Sequence, residues 1–254
     1  IVISVRHSGG IMNKIIITGA TGFIGRNLAE GLLSDGIEVL ATGRNESVGR
    51  ELRQMGIRFE PAEIVDRARV REAFGAADCV VHCAGKTADW GHPKEFYDTN
   101  VRGTRNVVDA CHFHGIRKLV FISTPSLYFN GQDRFDIRED EALPTRQLTY
   151  YGRTKWLAEE ELWLQRKKDF EVIILRPRAV YGPLDNTIIP RILKMAEKGR
   201  FPLINGGEAL TDITAMDNLL DAIRLCLSAE NQAWNEVYNI SNGEPIRIRD
   251  WFAQ

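Results

Sequence analysis

One stretch narrows what this chain can fold into more than any other. The apolar run Lys14-Ile15-Ile16-Ile17-Thr18 passes directly into Gly19-Ala20-Thr21-Gly22-Phe23-Ile24-Gly25, and a helical pattern follows to about Leu33, with Gly36 just past its end. Residues 15–18 are all β-branched, as expected of a strand covered on both faces. Glycines at 19, 22 and 25 allow a tight turn and close backbone approach. The helix that starts there presents free N–H groups and a partial positive charge, which together suit a pyrophosphate. A purely structural turn uses glycines too. The order strand, glycine turn, helix is what points to a dinucleotide.

The rest of the chain repeats the alternation. Val39-Leu40-Ala41-Thr42, Arg58-Phe59-Glu60, Cys79-Val80-Val81-His82-Cys83, Lys118 to Ser123 and Val172-Ile173-Ile174-Leu175 read as strands, with helices near 100–111 and 150–165. This predicts an α/β fold, a doubly wound parallel sheet of the Rossmann type with helices on both faces. Beyond Gly182-Pro183 the pattern changes to helices near 188–198 and 217–227 with short strands near 203 and 237. The expected division is a nucleotide-binding domain over 12–182 and a small substrate-side lobe over 183–254, interleaved with the last strands of the sheet. Met12-Asn13-Lys14 is a natural start, so residues 1–11 read as a non-native or disordered extension, too short for a signal peptide. Arg249-Asp250-Trp251-Phe252 reads as the opening turn of a helix, which leaves the lobe incomplete.

Charge and composition exclude several classes. With 33 basic and 34 acidic residues, a net charge of -1, the chain carries no nucleic-acid surface. No apolar run reaches the roughly 20 residues that span a bilayer. Cys79, Cys83, Cys111 and Cys226 form no CxxC pair and read as reduced core residues of a cytoplasmic protein. His112 and His114 would face different sides of a helix, and His82 lies in a core run, so no metal is expected.

Two further motifs carry chemistry. The second strand ends in Thr42-Gly43-Arg44-Asn45, with no acid to hold the ribose hydroxyls of NAD. Arg44 is a bidentate donor for a 2′-phosphate, which favours NADP(H) over NAD(H); the alternative is a solvated surface arginine. Tyr151-Gly152-Arg153-Thr154-Lys155 sets a tyrosine and a lysine on one helical face. A free phenol, with a pKa of about 10, is a poor acid-base group at neutral pH. A neighbouring ammonium is expected to lower that value and let Tyr151 exchange a proton with a substrate oxygen. Alone, such a pair is a common accident; its force comes from following the glycine loop.

Taken with these motifs, the chain resembles the extended short-chain dehydrogenase/reductase family, the NAD-dependent epimerases and dehydratases. Gly19 to Gly25 matches its nucleotide motif, and Glu63-Ile64 with Asp66 its adenine segment. Cys83-Ala84-Gly85 after His82, Asn100-Val101-Arg102-Gly103-Thr104, Ser123-Thr124-Pro125-Ser126-Leu127-Tyr128 and Leu175-Arg176-Pro177-Arg178-Ala179-Val180-Tyr181-Gly182-Pro183 match four more of its signatures. The resemblance implies a catalytic set of Thr124, Tyr151, Lys155 and Asn100. Thr124 would polarise the substrate oxygen, Tyr151 would act as acid-base, and Asn100 would support the proton relay. Lys155 would also bind the nicotinamide ribose. It further implies cofactor contacts from Gly19, Thr21, Gly22, Phe23, Ile24, Gly25, Arg44, Glu63, Ile64, Cys83, Ala84, Gly85, Pro177 and Arg178.

Within the family two branches compete. Nucleotide-sugar enzymes typically carry an arginine just before the last helix, for the substrate diphosphate; here Glu208 to Asp217 holds none. Dehydratases need an acidic pair after the active-site threonine, and Pro125-Ser126 offers none. The other branch resembles 3β-hydroxysteroid dehydrogenases and 2-alkyl-3-oxoalkanoate reductases. Trp90-Gly91, Gly199-Arg200-Phe201-Pro202-Leu203-Ile204 and Leu210-Thr211-Asp212-Ile213 lean that way. Trp90, Phe129, Ile188 and Ile189 would give an apolar wall for a hydrophobic ketone or secondary alcohol. The expectation is an NAD(P)-dependent oxidoreductase acting on a small-molecule 3-oxo or 3-hydroxy substrate, possible as a homodimer. A non-catalytic NADP(H) sensor is the third reading, against which the retained Tyr151/Lys155 pair argues.

Overall fold

The computed structural model describes residues 12–88, 90–166, 169–197 and 204–252. In chain order the first elements are β1 Lys14–Thr18, α1 Phe23–Ser34, β2 Glu38–Gly43, α2 Glu46–Gln54, β3 Arg58–Pro61, α3 Arg67–Ala73 and β4 Cys79–His82. Then come α4 Pro93–Tyr97, a π-helical turn at Asp98–Arg102, α5 Gly103–Phe113, β5 Lys118–Ile122, α6 Tyr150–Gln165 and β6 Glu171–Pro177. The last part holds β7 Val180–Tyr181, α7 Ile189–Glu197, β8 Leu210–Thr211, β9 Thr214–Ala215, α8 Met216–Leu227, β10 Glu236–Ile240, β11 Ile246–Arg247 and α9 Ile248–Phe252.

Seven strands form one sheet in the order β10-β6-β5-β4-β1-β2-β3. Every neighbouring pair in it is parallel. Order reverses between β1 and β4, the switch point at which such sheets open a crevice for ligand. Alternate residues of each strand enter opposite cores. Ile15, Ile17, Val39, Ala41, Ile173 and Leu175 pack on one face with Leu28 and Leu32 of α1 and Leu219 and Ile223 of α8. Ile16, Leu40, Val80, Phe121, Val172 and Ile174 pack on the other with Val107 of α5 and Ala158 and Leu162 of α6. Burial on both faces is why the strands read as continuous apolar runs rather than alternating ones.

The stretch after residue 182 serves both layers. Its α8 and β10 belong to the main sheet and its core, whereas β8 pairs with β11 and β7 with β9 outside it. The helix read from Asn100 begins earlier: His92 accepts from the Lys94 N–H as an N-cap, and Pro93 takes the first helical position, where its missing N–H costs nothing. The strand expected near 203 and most of the Gly199 to Ile204 segment lie outside the described residues, as does the extension at 1–11; Ile204–Gly207 is a short 3-10 turn. No described helix is long and apolar enough to cross a membrane.

Candidate active site

The phosphate loop is built to leave its helix end open. Gly19 sits at φ +69, and a Cβ there would lie 2.7 Å from the Ala84 backbone. A Cβ on Gly25 would lie 2.4 Å from the Gly19 carbonyl oxygen, so the first turn of α1 closes only around glycine. Helices α2 and α3 are capped by Asn45 and Asp66, but α1 has no side-chain cap and no acid in its first turn. Its N-terminal N–H groups are therefore left for an anion. They open on two cavities that share Gly19, Gly22, Cys83 and Gly85.

One cavity, of about 280 Å³, is lined by Thr21, Arg44, Glu63, Ile64 and Ala84, with the glycines. Asp66 is not part of it; its carboxylate is spent capping α3 on the Arg69 N–H. Arg44 faces Glu63 at 3.6 Å. The absence of an acid on β2 is thus offset by one arriving from beyond β3, which strand pairing hides from a linear reading. The second cavity, of about 580 Å³, is lined by Phe23, Ile24, Gly25, Thr124, Tyr151, Lys155, Pro177, Arg178 and Ile188. Together they form a trough from the β2 end across the phosphate loop to the Tyr151/Lys155 pair. That trough fits an extended dinucleotide.

Thr124 follows β5 and accepts from the Ser126 N–H at 3.2 Å while donating to the Ser126 hydroxyl at 3.0 Å. Ser123, its neighbour, points elsewhere and donates to Glu159. Lys155 is buried; its ammonium donates to the Ile122 carbonyl at 2.6 Å and lies 3.7 Å from the centre of the Phe121 ring. Burial pushes its pKa down to about 7, with the Glu159 carboxylate and then Cys83 opposing the fall. The Tyr151 phenol moves the other way from expectation: burial raises its pKa, and the Thr124 hydroxyl only partly counters this. The ammonium expected to depress it is bonded to a backbone carbonyl instead.

Asn100 sits in the π-helical turn, where its Oδ1 accepts from the Lys86 N–H at 2.7 Å. Its Nδ2 donates to the Lys86 carbonyl at 3.1 Å and to Thr154 Oγ1 at 3.0 Å. Its side chain reaches neither Tyr151 nor Lys155; it ties the loop after β4 to α6. His82 is satisfied on both nitrogens, by Thr18 at 2.7 Å and Thr104 at 3.1 Å, and burial lowers its pKa to about 3. All four cysteines are free thiols, and burial raises the pKa of each. Among the described residues no group of His, Cys, Asp or Glu could hold a metal ion.

A third cavity, of about 1380 Å³, joins the second at Pro125, Ser126, Tyr151 and Arg178. Trp90, 90% exposed, and Phe129 line it, with Phe135, Leu148 and Tyr150 beside them. Of the expected apolar wall, Ile188 belongs to the neighbouring cavity and Ile189 lines none of the three. Sequence reading gave no cleft role to a set of arginines and read Arg178 as a cofactor contact alone. Arg146, Arg153 and Arg178 line the large cavity, and among the described residues none has a carboxylate partner; Arg247 is held at 3.5 Å by Glu208. Arg153 and Arg178 stand inside motifs read for other roles and Arg146 in none, so their meeting has no linear signal.

A switch-point crevice with an open helix end, a buried lysine and a tyrosine facing a large cleft defines a nucleotide-dependent oxidoreductase site. The chain belongs to the NAD dependent epimerase/dehydratase family, whose model matches residues 15–241. It is 34% identical to the 2-alkyl-3-oxoalkanoate reductase of Stenotrophomonas maltophilia over 252 residues, covering 95% of this chain and 74% of the relative. It is 36% identical to the uncharacterized protein YbjS of Escherichia coli over 243 residues, 93% of this chain and 72% of the relative. Among solved structures, the Bordetella bronchiseptica enzyme WbmG in complex with NAD matches with a TM-score of 0.80 at 29% identity, covering 97% of this chain and 77% of that one. The protein is an NAD(P)-dependent oxidoreductase with relatives among the 3-oxoalkanoate reductases.

Proposed function

We propose that this enzyme reduces a hydrophobic 3-oxo acid to the 3-hydroxy acid, or runs the reverse oxidation, with NADP(H) as preferred cofactor and NAD(H) as the alternative. The observation that carries this reading is the meeting of Thr124, Tyr151 and Lys155 in the cavity linking the phosphate loop to a cleft that is both apolar and arginine-rich. The bound cofactor supplies or accepts the hydride. Thr124 donates a hydrogen bond to the substrate oxygen and orients it. Tyr151 gives that oxygen its proton as the carbonyl carbon receives hydride, leaving the alcohol. A phenol whose pKa is raised holds its proton, the form that donates to a substrate oxygen. Trp90, Phe129, Phe135 and Leu148 cover an alkyl body, and the unpaired arginines take a carboxylate.

Among the described residues past 183, Asn205, Glu208, Ala209, Leu210 and Arg247 supply the outer wall of the cleft, from a lobe interleaved with the sheet. A nucleotide-sugar epimerase is the second reading, favoured by the same arginines, which a diphosphate would also satisfy. A coupled assay with NADPH and NADH against 3-oxo acids, steroids and UDP-sugars separates them. Net cofactor oxidation with 3-oxo acids is expected; UDP-sugar epimerisation without net cofactor turnover would replace this reading with the other. Tight NADPH binding with no turnover on any substrate would favour the sensor.

A further inference from the structure

Lys155 is surrounded by groups that burial keeps neutral. From β4 and the residue after it, His82 faces it with a pKa lowered to about 3 and Cys83 with a thiol pushed up to about 12. From β5 come the Phe121 ring and the Ile122 carbonyl, neither ionisable. On its own helix Tyr151 is a protonated phenol. Among the described residues this leaves Glu159, one turn further along α6 and on the same face, as the anion that acts on Lys155.

Glu159 is itself only 1% exposed. Its Oε1 accepts from Arg176 Nε at 3.1 Å and from the Ser123 hydroxyl, and its Oε2 from Arg176 Nη2 at 2.5 Å. The chain of bonds continues outward. Arg176 Nη1 donates to the Tyr128 hydroxyl, which donates to Asn239 Oδ1 at 3.2 Å. Asn239 donates through Nδ2 to the Ile137 carbonyl at 3.2 Å and through its N–H to Glu139 at 2.8 Å. A fork this buried is a poor device for stability alone, because apolar residues of like volume hold a helix on a sheet as well or better. What an apolar pair cannot do is place a negative charge one turn from a buried ammonium.

We propose that Glu159 is a positioning residue for the catalytic pair: anchored by Arg176 and Ser123, its carboxylate keeps Lys155 an ammonium on the Tyr151 face of α6. Ser123, adjacent to Thr124, and Arg176, adjacent to Pro177, then bind the network to both walls of the reaction cavity. The inference rests on the proposed reading only in taking Lys155 as a working ammonium, and its test needs neither substrate nor cofactor.

The test is a pH titration of the cofactor-free protein labelled with ε-¹³C lysine, the Lys155 resonance being assigned by its loss in Lys155→Met. In Glu159→Gln the titration midpoint falls by about one pH unit or more, equivalent to a tenfold loss of ammonium. Glu159→Asp, which loosens the fork but keeps the charge, holds the midpoint near that of the unaltered protein. Because Glu159→Gln strands the Arg176 charge, the double variant Glu159→Gln/Arg176→Gln is measured beside it; with the stranded Arg176 charge gone, it is the safer fold. Its midpoint falls as well. An unmoved Lys155 midpoint in the charge-removing variants that fold, with stability alone reduced, overturns the proposal. Failure to reduce any ketone would bear on the proposed function and leave this titration standing.

Discussion

Arg44 and Glu63 face each other at 3.6 Å just past the ends of β2 and β3, Arg44 largely in solvent and Glu63 about half so. An exposed pair of this kind contributes little to stability. Its weight lies in the cofactor: Arg44 can leave Glu63 for a 2′-phosphate, whereas Glu63 can accept from ribose hydroxyls. Arg44→Ala is expected to weaken NADPH by roughly tenfold or more while barely changing NADH, the loss of one charge-assisted contact. Glu63→Gln, by freeing Arg44, is expected to strengthen NADPH. Fluorescence titration of both cofactors decides it, and equal losses for NADPH and NADH in Arg44→Ala refute the preference.

Removing the phenol oxygen tests the chemistry. Tyr151→Phe keeps the ring that fills the site and is expected to hold NADPH as before. Its turnover should drop by about 100- to 10,000-fold, the usual worth of a positioned acid-base group. Single-turnover kinetics on a genuine substrate provide the measurement; a fully active Tyr151→Phe means that another group moves the proton.

The arginines of the cleft make a prediction about substrates. Arg153→Ala and Arg178→Ala should each raise KM for a 3-oxo acid by roughly tenfold, the loss of one hydrogen bond to a charged group. The methyl ester of the same acid, already lacking the charge, should show no such change. Equal effects on acid and ester would place the carboxylate elsewhere.

His82 gives a pH dependence with a definite sign. Its folded-state pKa of about 3 lies below the ordinary 6.5. Between those values the unfolded chain binds a proton that the folded protein does not, so acidification favours unfolding across this window. Stability therefore rises with pH from about 3 to 6.5 and is indifferent to this group above it, with a slope of up to about 1.4 kcal/mol per pH unit. Urea unfolding at a series of pH values should show a shallower acid slope in His82→Gln. Parallel slopes in the two proteins would mean that His82 does not carry this term.

Much of this was readable from the chain because parallel sheets buried on both faces demand apolar runs and the phosphate turn demands its glycines. What escaped reading depends on three-dimensional neighbours. Glu63 meets Arg44 because β2 and β3 pair in a register that sets Gly43 opposite Pro61. Arg146, Arg153 and Arg178 converge from separate segments. The pKa of Tyr151 rises because burial outweighs the Thr124 hydrogen bond, and burial of a partly polar helix start has no linear signature. The early helix start at Pro93 is different: its signal, a proline after a capping histidine, was present in plain sight.

The π-helical turn at Asp98–Arg102 makes the protein intolerant of length change at one point. A regular helix advances about 100° per residue, so deleting one residue there to restore regular winding would rotate Asn100 relative to everything after it. The amide would then leave both the Lys86 backbone and Thr154, undoing the tie between the β4 loop and α6. A point substitution in this turn keeps that winding; a one-residue deletion does not. Alignments and engineered insertions should therefore treat residues 98–102 as a fixed-length unit.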